Sequence, residues 1–151
     1  MGCQAVTSEI SNFRGEFGFL SNFAPCRLAL DGKFYTSAEH AYQASKAVNE
    51  TDREAIGTAS SPVKAKRLGK VLIQIRPDWE EVKADVMLRI LRQKFSSPTL
   101  KSRLLGTGDT ELIEGNVWGD KEWGCVMVDG KWQGKNLLGK TLMMIREELR
   151  K

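Results

Sequence analysis

Histidine and cysteine are scarce: the 151 residues hold one histidine, His40, and three cysteines, Cys3, Cys26 and Cys125. Zinc-type sites draw their ligands from these residues at short spacings, and no such spacing occurs, so no metal is expected. Three scattered thiols also make no disulfide framework; they suit a reducing compartment, which points to the cytoplasm. Long apolar runs are missing too. The longest, such as "CVMV", have four residues, far short of a membrane-spanning helix, so no membrane association is expected. The opening "MGCQAVTSEI" lacks the basic and apolar parts of a signal peptide. Its Met-Gly-Cys start loosely resembles an acylation signal, with Val6 standing where Ser or Thr is wanted. Blocks of like charge are absent as well, so the net charge of +4 is only a mild basic bias. It fits a phosphate-bearing ligand as readily as a solvated surface.

What is present reads as a globular chain: 41% of residues are hydrophobic and 28% charged, with no linker or repeat. One domain is expected over 1–151, its motif-bearing core at about 13–146. "CRLALDGKFYTS" predicts a hairpin, with Leu28 and Leu30 alternating, an Asp31-Gly32 turn, then Phe34 and Tyr35. Ser37 is placed to cap the helix "AEHAYQASK". "SSPVKAKRLG" predicts a short helix with Ser61 as cap, Pro62 at its first position and Gly69 past its end. In "PDWEEVKADVMLRILRQKF", Asp78 is expected to cap, with Glu81 at capping-box spacing. Val82, Val86, Met87, Ile90, Leu91 and Phe95 form its apolar stripe. "SPTLKSRLLG" repeats the Ser-Pro start and glycine stop. The last helix, "NLLGKTLMMIREELRK", buries Leu138, Leu142, Ile145 and Leu149, with Asn136 as cap and Gly139 marking a close approach.

Between these helices lies the glycine-rich stretch from Thr107 to Asn136, which carries three of the four tryptophans. It has strand-like pieces at Glu111 to Glu114 and Cys125 to Val128 and an Asp129-Gly130 turn. Segments of this kind on a helical frame are where ligands bind. The expected class is α+β, a helix-rich domain with a small β-sheet.

The stretch "YTSAEHAYQASKA" asks for a separate account. Glu39, Gln43 and Lys46 fall at i, i+4 and i+7, on one side of the helix, with Tyr42 beside them. Ala38, Ala41 and Ala44 cover the other sides and let neighbouring elements come close, so the polar side need not be the wet side. The plain alternative is a solvated Glu39 favouring the helix dipole, a solvated Lys46 and a core Tyr42.

These motifs resemble the NADAR superfamily, which includes a bacterial N-glycosidase acting on early riboflavin-pathway intermediates. The resemblance spans about Phe13 to Arg146 and rests on "FGFLSNFAPC", "YTSAEHAYQASKA", "RPDWEEVKADVMLRILRQKF", "LLGTGDTELIEGN", "WGDKEWG" and "GKNLLGKTLMMIR" in order. It implies hydrolysis of a C–N bond at an anomeric carbon, with no cofactor. It places functional residues at Glu39 of "SAEH", Lys46 of "YQASK", Trp79 of "DWEEVK", and Asp120 and Trp123 of "DKEWG". Phe19, Ser21, Asn22 and Phe23 of "FLSNF" correspond to a part lining the ligand pocket. A second Trp-Gly, Trp118-Gly119, precedes Asp120 and makes Glu114 a competitor for the acid role.

Cleaving an N-glycoside needs charge stabilisation at C1 and a proton for the departing amine, work that suits paired carboxyls. The candidate catalytic set is therefore Glu39, Lys46 and Asp120, with Glu114 in reserve. Two roles stay open for Lys46: a cation holding a phosphate or orienting Glu39, or a desolvated amine forming a Schiff base. The candidate binding set is Arg14, Phe19, Ser21, Asn22, Phe23, Ser37, Tyr42, Gln43, Trp79, Trp123 and Asn136. Trp79 equally well begins the apolar stripe of its helix. Phosphate contacts are sought among Arg14, Lys64, Arg67 and Lys94. His40, about 100° around the helix from Glu39, is assigned to packing or hydrogen bonding. The expected substrate is a small phosphorylated ribosylamine. The alternatives are removal of ADP-ribose from guanine in nucleic acid, or a non-catalytic nucleotide-binding module.

Overall fold

The computed structural model describes residues 8–72 and 74–151; Cys3, Val6 and the acylation-like start lie outside them. In chain order the elements are β1 (Glu9–Ile10), a 3-10 turn (Gly15–Leu20), β2 (Pro25–Leu30), β3 (Lys33–Ser37), α1 (Ala38–Ser45) and α2 (Glu50–Gly57). There follow α3 (Pro62–Lys70), α4 (Trp79–Lys94), α5 (Pro98–Leu105), β4 (Glu111–Leu112), β5 (Val126–Val128), β6 (Lys131–Gln133) and α6 (Leu137–Leu149). Helices dominate and the strands form three separate two-stranded ladders among the described residues, the helix-rich α+β class expected. No described helix is long and apolar enough to cross a membrane. Two compact units divide the chain, residues 22–100 and residues 8–21 with 101–151.

In the first of these units the antiparallel hairpin pairs Leu28 with Tyr35 and Leu30 with Lys33. Asp31 and Gly32 both take positive φ (51° and 78°), the requirement of the tight turn that Asp-Gly supplies. β3 runs straight into α1, and Ser37 caps it: its hydroxyl accepts the His40 N–H at 3.1 Å. α1 packs on α2, α3, α4 and both strands, and every residue from Ala38 to Ala44 is buried. Alanine makes this possible, because its methyl lets five neighbours approach one short helix. α4 packs on α1 and β2 and buries Val86, Met87, Ile90 and Leu91, each contributing about 1.5–3 kcal/mol by burial.

Three expectations in this unit need correction. Asp78 precedes α4 but makes no capping hydrogen bond. Arg76 holds its carboxylate at two points, 2.7 and 2.9 Å, and a guanidinium fork outcompetes a neutral N–H. Gly69 does not end α3 but sits inside its last turn, fully buried. Finally, α2 was not foreseen: it turns one buried residue, Ile56, inward and so shows no apolar stripe.

In the other unit β1 runs parallel to β4, Glu9 opposite Glu111 and Ile10 opposite Leu112, and α6 packs on β4. A methyl at Gly139 would overlap the Leu112 carbonyl and the Asn136 side chain, the close approach expected there. β5 and β6 form a hairpin about Asp129-Gly130. Asn136 precedes α6 in left-handed conformation (φ 52°) without a side-chain cap. The Leu137 and Leu138 N–H groups donate instead to the carbonyls of Glu122 (3.1 Å) and Trp123 (2.9 Å). Relieved of capping, the Asn136 amide donates to the Leu112 carbonyl (2.9 Å) and accepts the Glu114 N–H (3.0 Å).

Candidate active site

α1 turns the expected trio into a buried constellation. Glu39 is 7% exposed and Gln43 5%, and the Gln43 amide donates to Glu39 Oε1 at 2.8 Å. Burial pushes the Glu39 carboxyl up, against the pull of that hydrogen bond and of Lys66, Lys46 and His40. Lys46, half-buried at the C-cap, is pushed down by burial, opposed by Glu39 and reinforced by Lys66, Lys70 and Lys83. The two groups are thereby drawn together in proton affinity. Burial thus works against both charged forms at once, where water would favour them.

The surroundings are aromatic. Tyr42 meets Trp79 at 5.1 Å between centroids, tilted by 50°, and the Lys46 ammonium stands 5.5 Å from the Tyr42 ring. Trp79 is 6% exposed, so most of its ring packs in the core as the first residue of α4. Asn22 lies at the head of α1, its carbonyl accepting the Glu39 N–H at 3.0 Å. Its amide donates to Met87 sulfur at 3.6 Å, and its buried Oδ1 has no partner among the described residues. Phe23 is exposed, with the Lys66 ammonium 5.8 Å from its ring. Ser37 and His40 are occupied structurally: the Ser37 hydroxyl meets His40 Nδ1 at 2.6 Å, and His40 Nε2 meets the Ala59 carbonyl at 2.9 Å. Lys94, sought as a phosphate contact, is 1% exposed and lies 5.2 Å from the Phe95 ring; burial withholds it from a surface ligand. Lys64 and Arg67 are exposed.

Phe19, Ser21, Glu114, Asp120, Trp123, Asn136 and Arg14 belong to the other unit. There Asp120 Oδ1 accepts the N–H groups of Glu122 and Trp123, each at 3.0 Å. One carboxylate oxygen therefore organises the "DKEWG" turn. Glu114 lies against Gly124, where a Cβ would overlap its carboxylate. Phe19 is buried under the Arg103 guanidinium, 4.3 Å from its ring centroid, and Arg14 is exposed before the 3-10 turn.

The NADAR domain model matches residues 10–150. The chain belongs to the NADAR family. Among its relatives, the N-glycosidase YbiA of Escherichia coli is 40% identical over 136 residues, covering 89% of this chain and 82% of that protein. A riboflavin biosynthesis protein of Vibrio vulnificus is 41% identical over 138 residues, 87% of this chain; the match spans only 35% of that longer protein. The NMR structure of Escherichia coli YbiA superposes with a TM-score of 0.79 at 36% identity, covering 97% of this chain and 90% of that one.

Two residues of this NADAR chain matter to the geometry and escaped sequence reasoning. Asn116 donates to the carbonyls of Asp120 (2.8 Å) and Cys125 (3.2 Å) and accepts the Asp120 N–H (3.0 Å), so it holds the turn that carries Asp120. Its signal was faint: an amide following glycine in a loop. Gly69, read as a helix stop, is a contact of Gln43. Its position one residue short of the helix end held the clue.

Proposed function

We propose that this chain is an N-glycosidase that hydrolyses the bond between a ribose anomeric carbon and an amine, acting on phosphorylated ribosylamine intermediates of riboflavin biosynthesis. The observation that carries the reading is the buried Glu39 carboxyl, held by Gln43, on the helix that ends at half-buried Lys46, with burial pushing the carboxyl up and the amine down. The names of its relatives agree with it: an N-glycosidase in Escherichia coli and riboflavin biosynthesis proteins in Vibrio vulnificus and maize.

In this mechanism the ring-opened ribosylamine carries a C1=N bond. The Lys46 amine adds to C1, forming the Nζ–C1 bond. Glu39, as the neutral acid, gives its proton to the departing nitrogen, and the C1–N bond breaks to release the amine. The amine takes its second proton from Nζ, leaving the Lys46 iminium. Water adds to C1 with the Glu39 carboxylate taking its proton. The new hydroxyl's proton passes to Nζ as the C1–Nζ bond breaks, and the sugar phosphate leaves as the aldehyde with Lys46 regenerated. Asn22 Oδ1, the unpartnered acceptor at the head of α1, receives a sugar hydroxyl. No metal or cofactor enters any step, so activity should survive a strong chelator; loss of activity that added zinc or magnesium restores would overturn this. The free thiols of Cys26 and Cys125 suit the cytoplasm as its place of work.

The test incubates purified protein with ribosylamine phosphates of the pathway and follows released base and ribose phosphate. Borohydride added during turnover should attach the sugar to wild-type protein and leave Lys46→Arg unlabelled. Absence of product removes the reading; release from ADP-ribosylated guanine DNA alone reassigns the substrate.

A further inference from the structure

α3 presents Gly69 to the flank of α1. A methyl built there would stand 2.8 Å from Gln43 Cδ and 3.2 Å from its Cβ, and would overlap its amide oxygen. The backbone of Gly69 does not ask for glycine: it is regular helix without positive φ. Glycine is a poorer helix former there than alanine. Gln43 carries a cost of its own, because its buried Oε1 has no hydrogen-bond partner among the described residues. An unpaired buried acceptor is destabilising, and a leucine or methionine would fill the same space without it. Two locally unfavourable choices thus converge on one contact, the 2.8 Å hydrogen bond from Gln43 Nε2 to Glu39 Oε1.

We propose that Gln43 and Gly69 are positioning residues: Gly69 makes room for the Gln43 amide, and the amide fixes the Glu39 carboxyl in the rotamer that presents Oε2 to substrate. This rests on Glu39 being the reacting acid. The amide bonds the charged form and so restrains the upward push of burial on Glu39. Other charges act on the same group: Lys66 from α3, and Lys46 and His40 from its own segment. Lys70 of α3 and Lys83 of α4 act on Lys46. All of them remain when Gln43 is replaced.

The experiment titrates the Glu39 carboxyl by carbon-13 NMR in wild type, Gln43→Leu, Gly69→Ala and the double variant, alongside kcat and KM. Both single variants should move the Glu39 titration to higher pH and lower kcat by about 10-fold, with KM within about 2-fold. In the Glu39 titration the double variant should match Gln43→Leu, because no amide is left for the methyl at 69 to displace, even though the methyl still crowds the leucine. An unchanged Glu39 titration in Gln43→Leu overturns the proposal, as does a Gly69→Ala effect that adds in full to it. Gln43→Leu decides the matter alone if Gly69→Ala does not fold. Wild-type turnover by Glu39→Gln would remove the functional reading instead, and the NMR titration would still report on the positioning contact.

Discussion

Helix α1 and the turn from Glu114 to Gly124 both bury polar side chains, and they use them for opposite ends. In the turn, Asn116 and Asp120 bind backbone groups, and Asn136 does the same beside it. That segment has almost no ladder of its own, so side chains must satisfy its N–H and C=O groups. In α1 the helix satisfies its own backbone past the first turn, where Ser37 helps. Glu39 and Gln43 are left to bind each other, with an acceptor unsatisfied. On the proposed reading, the buried polarity of α1 serves the reacting acid because the backbone there has no claim on it.

The sharpest way to break this comparison is to mutate one acid from each region. Glu39→Gln keeps the shape and loses the transferable proton, so kcat should fall by on the order of 10²-fold, about 2.7 kcal/mol of barrier. The melting temperature should hold or rise, because a charge-prone group leaves the core. Asp120→Asn should do the reverse, lowering thermal stability through weakened turn bonds before it lowers kcat per folded molecule. If Asp120→Asn is the dead variant and Glu39→Gln is active, the assignment of roles is inverted.

Lys94 adds a third kind of buried polar group, a cation in α4 that is 1% exposed. Burial pushes its ammonium down from the ordinary 10.5 to about 8, with the Cys26 thiol opposing slightly. A lysine depressed in the folded state destabilises it while charged. The cost is full below about pH 8 and is relieved as pH rises toward the unfolded value, because the unfolded chain then binds more protons. The gap from 10.5 to about 8 corresponds to roughly 3 kcal/mol. Lys94→Met should accordingly be more stable than wild type in denaturant at pH 7, with an advantage that shrinks between pH 8 and 10.5. A constant difference across that window would show that the ammonium is not the cause.

Asn116→Ala comes next in size. It would strand the N–H and the carbonyl of Asp120, while the Cys125 carbonyl keeps the backbone N–H of residue 116 at 2.9 Å; the cost is about 2–3 kcal/mol, read as a lower urea midpoint. Gln43→Leu, which removes an amide already short of a partner, should lose under half as much. Comparable losses would mean that the Gln43 amide is as structural as that of Asn116.

The residues differ in how plainly they announced these roles. The Asp31-Gly32 hairpin, the Ser37 and Ser61 caps and the stripes of α4 and α6 were legible because each is a local rule acting on adjacent residues. The alanines of α1 permitted its all-round burial without deciding it, since a solvated Glu39 and Lys46 fitted the same spacing. Asp78 was misread because Arg76, only two residues before it, takes its carboxylate, a local pairing that the cap rule does not weigh. Asn136 was misread because its partner, the Leu112 carbonyl of β4, lies outside the local pattern. Gly69 shows the same limit: its reason lies on another helix. Lys94 sits in an amphipathic pattern where a charge normally reaches water, and only the packing around α4 shows that it does not.

The smallest effects separate two serines that perform one local task. Ser61 accepts the Lys64 N–H at 3.1 Å on the surface, so Ser61→Ala should cost about 1 kcal/mol, the usual worth of an N-cap. Ser37 makes the equivalent bond to His40 N–H at 3.1 Å, and its hydroxyl also meets His40 Nδ1 at 2.6 Å. With Nε2 donating to the Ala59 carbonyl, Nδ1 is an acceptor, and Ser37→Ala leaves it buried without a donor. That adds about 1–2 kcal/mol to the lost cap, so the Ser37 variant should melt clearly below the Ser61 variant. Ser37→Thr, which restores the hydroxyl, should recover most of the difference. Equal losses at the two positions would mean that water replaces Ser37 at Nδ1, and that the head of α1 is wetter than its burial indicates.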